Sequence, residues 1–212
     1  MQTPESLSPS TARTAPVRRP RASARPPLSP QDWLRTAADV LVDKSVEGVR
    51  VDVLAKMLNV TRGSFYWHFV DRDDLLQRLL QSWKAAQTER VIAAHNRQGV
   101  TPQEVVHDLA GLSFRGESAQ RGGAIELAVR AWARRDEAAR KVVDEVDAMR
   151  LRYIEQTFQR MGFEPEPAQQ RAFVLYSYIQ AESIFRAQGS EDDKAARRAF
   201  VERLLTDRSL PY

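Results

Sequence analysis

No cysteine occurs among the 212 residues, which excludes disulfide scaffolds, Cys-ligated zinc, thiol catalysis and iron–sulfur clusters together. Long apolar runs are missing too. The longest uncharged stretch, Ala172 to Ala181, is about half of the ~20 residues needed to cross a bilayer. No basic-then-apolar leader opens the chain, so a soluble, cytoplasmic protein with no membrane partner is expected. Strict alternation of apolar and polar residues, the mark of a half-buried strand, is also absent.

What is present is 42% hydrophobic and 28% charged residues, a balance that suits one globular unit or a small domain fused to a larger one. The net charge of +4 is unevenly placed. Residues 1–28 hold Arg13, Arg18, Arg19, Arg21 and Arg25 against Glu5 alone, leaving equal numbers of basic and acidic residues in the remainder. The same segment carries six of the eleven prolines, no glycine and no aromatic. It cannot bury enough apolar surface to offset the entropy of ordering and reads as a disordered basic arm. Such an arm suits DNA phosphates by counterion release, and equally a solubilising extension or a mis-assigned start.

From Ser29 onward the apolar spacing is helical and the predicted fold is all-α, with about nine helices. Ser29, Pro30 and Asp32 form a helix start, and Trp33, Leu34, Ala37, Ala38 and Leu41 line one face until Gly48. A short helix fits residues 51–58, with Asn59 as a left-handed terminator. Thr61 caps a third helix to about Phe69, and Asp71 caps a fourth that can run to about Ala94. Thr101-Pro102-Gln103-Glu104 is a capping box that opens a fifth helix. Residues 113–123 read as a loop or broken helix. Helices are expected over 125–133, 136–161 and 168–188, with a last one capped by Ser190 and Asp193.

Enzyme signatures are weak. Gly111 to Gly116 has phosphate-loop glycine spacing, but Glu117 stands where a lysine should reach the phosphates and no strand precedes it. His68, His95 and His107 are too far apart in sequence to share a helical turn as metal ligands. Glu126 and Arg130, four residues apart, read as an ordinary helix pair. No catalytic residue, metal site or cofactor is expected.

The segment 50–69 differs in kind. Two helices of about eight residues joined by a tight turn cannot each bury a face alone, so they pack on the preceding helix and present one of their number outward. That arrangement is a helix-turn-helix with residues 61–69 as its reader. The reader opens with Thr61, Arg62, Gly63 and Ser64, groups suited to phosphates and base edges at the positive end of a helix.

Val60-Thr61-Arg62-Gly63-Ser64-Phe65-Tyr66-Trp67-His68-Phe69, followed by Asp71-Arg72-Asp73-Asp74-Leu75-Leu76, resembles the signature of TetR-family transcriptional regulators. The resemblance is strong from about Trp33 to Leu80, with Asn59, Arg50 and Arg72 departing from the usual turn glycine, threonine and lysine. It implies three regions: the arm at 1–28, a DNA-binding domain at 29–89 and a ligand-binding and dimerisation domain at 90–212. By resemblance Thr61, Arg62, Gly63 and Ser64 contact bases and phosphates. Tyr66, Trp67 and His68 reach the backbone from the reader's far end, and Arg50 and Arg72 bind phosphate. Phe65, Phe69, Leu54, Ala55 and Leu58 are expected in the core, while His68 is open between DNA contact and packing. Seven basic against eight acidic residues from Ser29 to Trp83 leave this region near neutral, so binding rests on placement.

The implied partners are double-stranded DNA bearing a near-palindromic operator, a second copy of the chain and a small-molecule effector of unknown identity. The implied function is a homodimeric repressor released by that effector. An activator of the same family and a degenerate helix-turn-helix used for protein contact are the alternatives. Trp83, His107, Phe114, Arg130, Trp132, Tyr153 and Tyr176 are the expected effector contacts. Ala172, Leu175, Ile179 and Ser183 repeat at helical spacing on a segment that is apolar on more than one side. With Ala199 and Leu204 they are the expected dimer interface.

Overall fold

The computed structural model describes residues 28–209, except 98, 115 and 186. The predicted arm therefore lies outside the described residues apart from Leu28. Among the described residues the chain is helical throughout, with no strand. No described helix is long and apolar enough to cross a membrane.

Helix α1 (Pro30–Gly48) begins as predicted: Pro30 occupies the first turn, and the Asp32 carboxylate accepts from both the backbone N–H and the hydroxyl of Ser29. It breaks earlier than Gly48, because Ser45 leaves helical geometry with φ 59°. Helix α2 (Val51–Leu58) ends at Asn59 in the left-handed conformation, φ 55°, as expected of a residue whose short amide tolerates it.

The third element is a 3-10 helix, Arg62–Trp67, where an α-helix to Phe69 was expected. Six residues containing Gly63 gain little from α geometry, and the tighter winding still turns Phe65 into the core. Phe65 packs edge-on against Trp33 and stacks on Phe69, with ring centroids 5.3 and 5.1 Å apart.

Helix α3 (Arg72–Lys84) is capped by Asp71, which accepts from the Asp74 N–H, and buries Leu75, Leu76, Leu79, Leu80 and Trp83. A five-residue π segment, Ala85–Glu89, then joins it to α4 (Arg90–His95), so the expected long helix carries an insertion of π geometry at its middle. Helix α5 (Pro102–Ala110) carries the predicted capping box: the Glu104 carboxylate accepts from the Thr101 N–H while Thr101 Oγ1 accepts from the Glu104 N–H.

The expected loop at 113–123 is largely helix. After a 3-10 turn, Leu112–Phe114, helix α6 (Gly116–Ala133) runs straight through Gly122 and Gly123. Glycine is a poor helix former, but here it permits close approach: a Cβ at Gly122 would lie 2.7 Å from the Gln87 amide nitrogen. Helices α7 (Glu137–Arg160), α8 (Pro165–Ile184) and α9 (Glu191–Thr206) complete the chain. Helix α8 starts three residues before the expected Ala168, since Pro165 serves as its first helical residue.

Two apolar clusters organise these elements. One joins α1–α3 and the reader to Val129, Trp132 and Ala133 of α6 and Val143 and Val146 of α7. The other packs α5, the second half of α7, α8 and α9 around Phe158, Ala168, Ala172 and Leu175. Helix α1 thus rests directly on α6, and α3 on both α6 and α7, while α2 packs on α1 and the 3-10 element; the π segment runs from α3 in the first cluster towards α4.

Candidate functional site

The reader's two faces are chemically opposite. Phe65 and Phe69 anchor it, while Thr61, Arg62, Gly63, Tyr66 and Trp67 are exposed; Trp67 is 86% exposed although it is the largest apolar side chain nearby. Ser64 and His68 are half-buried at the margins. The Arg62 guanidinium makes no ion pair or hydrogen bond to another described residue. A free cation, a hydroxyl and two aromatic tips on one edge form a surface that phosphates and base edges can meet.

The other two predicted cations are placed differently. Arg50 is exposed and forms a forked pair with Asp52 (3.2 and 2.9 Å). Arg72 folds back: its Nε and Nη2 donate to the carbonyls of Val49 and Val46, each at 2.7 Å. It therefore ties down the backbone where α1 ends, adding a second donor to the Val46 carbonyl that already accepts from the Val49 N–H, and its guanidinium is shared between that task and any phosphate.

The second feature is a cavity of about 520 Å³ between α5, α6, α7, α8 and the π segment. Val91, Ile92, Leu109, Leu112, Ile154 and Ile179 supply its apolar wall, and Ala86, Gln87 and Thr88 of the π segment face it. Of the predicted effector contacts, Tyr153 and Tyr176 line it. Trp132 is buried in the first cluster instead, and Phe114 and Trp83 do not reach the cavity. His107 is exposed on the outer face of α5, 2.9 Å from Glu202 of α9, because its turn of helix points away from α7.

A polar cluster flanks the cavity: it contains the expected Arg130 and Tyr176 and adds Glu126, Asp147 and Arg150, which were not expected at a site; Glu126, Arg150 and Tyr176 line the cavity, whereas Arg130 and Asp147 do not. Arg150 spends all five of its N–H groups: Nε on Thr88 Oγ1, Nη1 on Glu126 Oε1 and the Tyr176 hydroxyl, and Nη2 on Glu126 Oε2 and the Gln87 carbonyl. Glu126 also accepts from Arg130 Nε and Trp83 Nε1. Arg130 grips Asp147 with both terminal nitrogens, and the Tyr176 hydroxyl donates to Asp147 at 2.6 Å.

Burial alone would raise the Glu126 carboxyl, but Arg150 and Arg130 outweigh it and hold Glu126 below the usual carboxylate range. Asp147 is likewise lowered, its burial outweighed by Arg130 and Tyr176. Burial chiefly pushes the Tyr176 hydroxyl up to about 12. The signal for this cluster was present in α7, where Asp147 and Arg150 interrupt the inward stripe Val143, Val146, Tyr153 and Ile154. Charged residues on an otherwise apolar face require buried partners.

The expected dimer residues need revision. Ala172 and Leu175 are 1% and 0% exposed within the single chain, held against α7, and cannot meet a second copy. Ile179 and Ser183 face the cavity, and Ala199 is half-buried. Only Leu204 of that set is openly exposed. The exposed apolar residues of these helices are Phe173, Val174, Ile184 and Phe185 on α8 and its end, and Phe200 and Leu204 on α9.

Residues 34–79 match the family model described as bacterial regulatory proteins, tetR family. No curated protein matches the sequence. Among solved structures, one from Rhodococcus sp. described as a TetR-family transcriptional regulator superposes with TM-score 0.69 at 17% identity, over 84% of this chain and 98% of that one. A transcriptional regulator from Saccharomonospora viridis in complex with choline gives TM-score 0.69 at 17% identity, over 84% and 96%. The regulator FadR from Bacillus subtilis in complex with stearoyl-CoA gives 0.61 at 17% identity, over 84% and 97%. At such identities the likeness is one of fold.

Proposed function

From a chain that carries the tetR-family N-terminal domain on a TetR-type fold, we propose a homodimeric, sequence-specific DNA-binding repressor released by a small molecule in the α5–α8 cavity. The observation that carries this reading is the reader's split character, with Phe65 and Phe69 locked in the core and Arg62, Tyr66 and Trp67 projected from it. Thr61, Arg62, Gly63 and Ser64 meet base edges and phosphates; Tyr66, Trp67 and His68 meet the sugar–phosphate backbone, with Arg50 and Arg72 at its flanks.

Dimerisation uses the outward stripes of α8 and α9. Phe173 and Val174 share a line with Ile184 and Phe185 at helical spacing, and Phe200 and Leu204 continue it on α9. A two-fold pairing of one such patch with its copy covers both. Two readers then occupy successive major grooves about 34 Å apart.

Release follows from the position of the π segment. It forms part of the cavity wall and is continuous with α3, whose Trp83 is bonded to Glu126. A ligand that binds better when this wall is displaced favours a reader spacing that no longer fits the operator, by the differential affinity for the two states. Two structures of the same fold, solved with choline and with stearoyl-CoA, support a ligand-binding role for the second half.

Selection from random duplex DNA by the purified full chain, read by sequencing, tests the proposal. A near-palindromic consensus is expected. Sequence-blind, salt-labile binding would contradict it and favour the protein-contact reading, which the near-neutral charge of the first helices otherwise supports.

A further inference from the structure

We propose that the cavity takes an uncharged, largely apolar molecule bearing one hydrogen-bonding group, such as an amide, carbonyl or hydroxyl, and that the Gln87 side-chain amide holds that group. The inference rests on the cavity being the effector site.

It begins with the charges on the wall. Arg150 has no N–H left to offer, and Glu126 receives five hydrogen bonds across its two oxygens. A ligand carboxylate could recruit Arg150 only by displacing a bond it already makes to Glu126, Tyr176, Thr88 or the Gln87 carbonyl, in a cluster that is largely buried. A ligand cation meets the same barrier from the other side, because both Glu126 oxygens are spent. Glu182, also on the wall, is engaged through both oxygens by Arg197 at 2.9 and 3.2 Å. Arg90 stands exposed at the rim, where water and salt screen its charge. A charge of either sign placed inside would therefore stand uncompensated, and burying such a charge is costly.

What remains for recognition is neutral. The Gln87 side-chain amide lines the cavity, is half-buried and makes no hydrogen bond to a described residue, although its backbone carbonyl is fixed by Arg150. Gly122 sets its place: the amide lies where any larger residue of α6 would put its Cβ, 2.7 Å from Nε2 and 3.0 Å from Oε1. An amide both donates and accepts without carrying charge, so it matches a neutral polar group of either kind. Of the other amides on the wall, Gln180 already donates to Glu126 at 3.5 Å and Gln120 is exposed. Gln87 also belongs to the π segment, a geometry that recurs at functional sites in helices. Its engagement would thus be felt in the same turn of chain that continues into α3.

Octanamide, octanoate and octylammonium share one apolar chain and differ in head charge, so calorimetric titration of the full chain with each separates the possibilities. Octanamide is expected to bind about tenfold more tightly than either ion. Gln87→Met should lower octanamide affinity by about tenfold with the melting temperature little changed, and Gln87→Glu should strengthen octylammonium binding. Octanoate or octylammonium binding as tightly as octanamide would overturn the neutral class while leaving the cavity as a ligand site. Unchanged octanamide affinity in Gln87→Met would overturn the role of Gln87. Binding of none of the three, with no difference between wild type and the cavity-filling Ile179→Trp, would overturn the effector site itself.

Discussion

Glu126 shows how a single residue can be misjudged from spacing alone. Its i,i+4 relation to Arg130 is real, at 2.8 Å, yet the same carboxylate also receives Arg150 and Trp83 from two other helices. Its carboxyl is held below its ordinary 4.5, and that of Asp147 below 3.8. A folded-state pKa that is depressed contributes stability fully present above the unfolded value and lost as pH falls through the folded one. Thermal stability is therefore expected to hold from neutral pH down to about 4.5 as far as these groups decide it, then to fall. Glu126→Gln should cost about 3 kcal/mol at pH 7, because Arg150 keeps its charge without its partner. It should also flatten the acid limb of melting temperature against pH. An unchanged acid limb in the variant would remove Glu126 from the balance.

At the scale of elements, the amphipathic spacing of α1, α2 and α3 and the caps at Asp71, Thr101 and Ser190 were legible because each is a local signal. Three features were not. They are the 3-10 winding of the reader, the π segment at 85–89 and the helix through Gly122 and Gly123, none of which the apolar spacing distinguishes. Glycine reads as a breaker in one dimension; in three it lets α6 lie against Gln87. The outward side of α8 was not legible for a related reason. A helix apolar on several sides does not say which side meets its own core, and Ala172 and Leu175 took that role. The outward stripe is testable: Phe200, 58% exposed, has little to lose within one chain. Phe200→Glu is expected to shift sedimentation from dimer to monomer at micromolar concentration with helicity retained. A variant that remains dimeric would place the interface elsewhere.

At the scale of the molecule, the reading edge and the cavity are joined by one continuous length of helix. Phe69 closes the reader, α3 packs beneath it, and α3 runs without a break into the π segment that walls the cavity. The first cluster reinforces this by sharing Val129 and Trp132 of α6 with the helix-turn-helix. Arg121 of α6 is also paired with Asp39 of α1, at 2.6 Å. Displacing α6 or the π segment therefore moves the reader's support, which is the physical content of the proposed release. The exposed edge from Thr61 to Trp67 was legible in sequence because its motif is contiguous; the cavity was not, since its wall draws on residues from 86 to 183. The central claim is that the edge from Thr61 to His68 reads DNA sequence. It is tested most directly by titrating the selected duplex and a scrambled one with wild type and Arg62→Ala, which removes a guanidinium that is exposed and has no partner among the described residues. The account predicts that Arg62→Ala loses about tenfold or more on the selected duplex, with helicity and dimerisation unchanged and the preference over scrambled DNA reduced. Equal affinity of the two proteins for the selected duplex would contradict it.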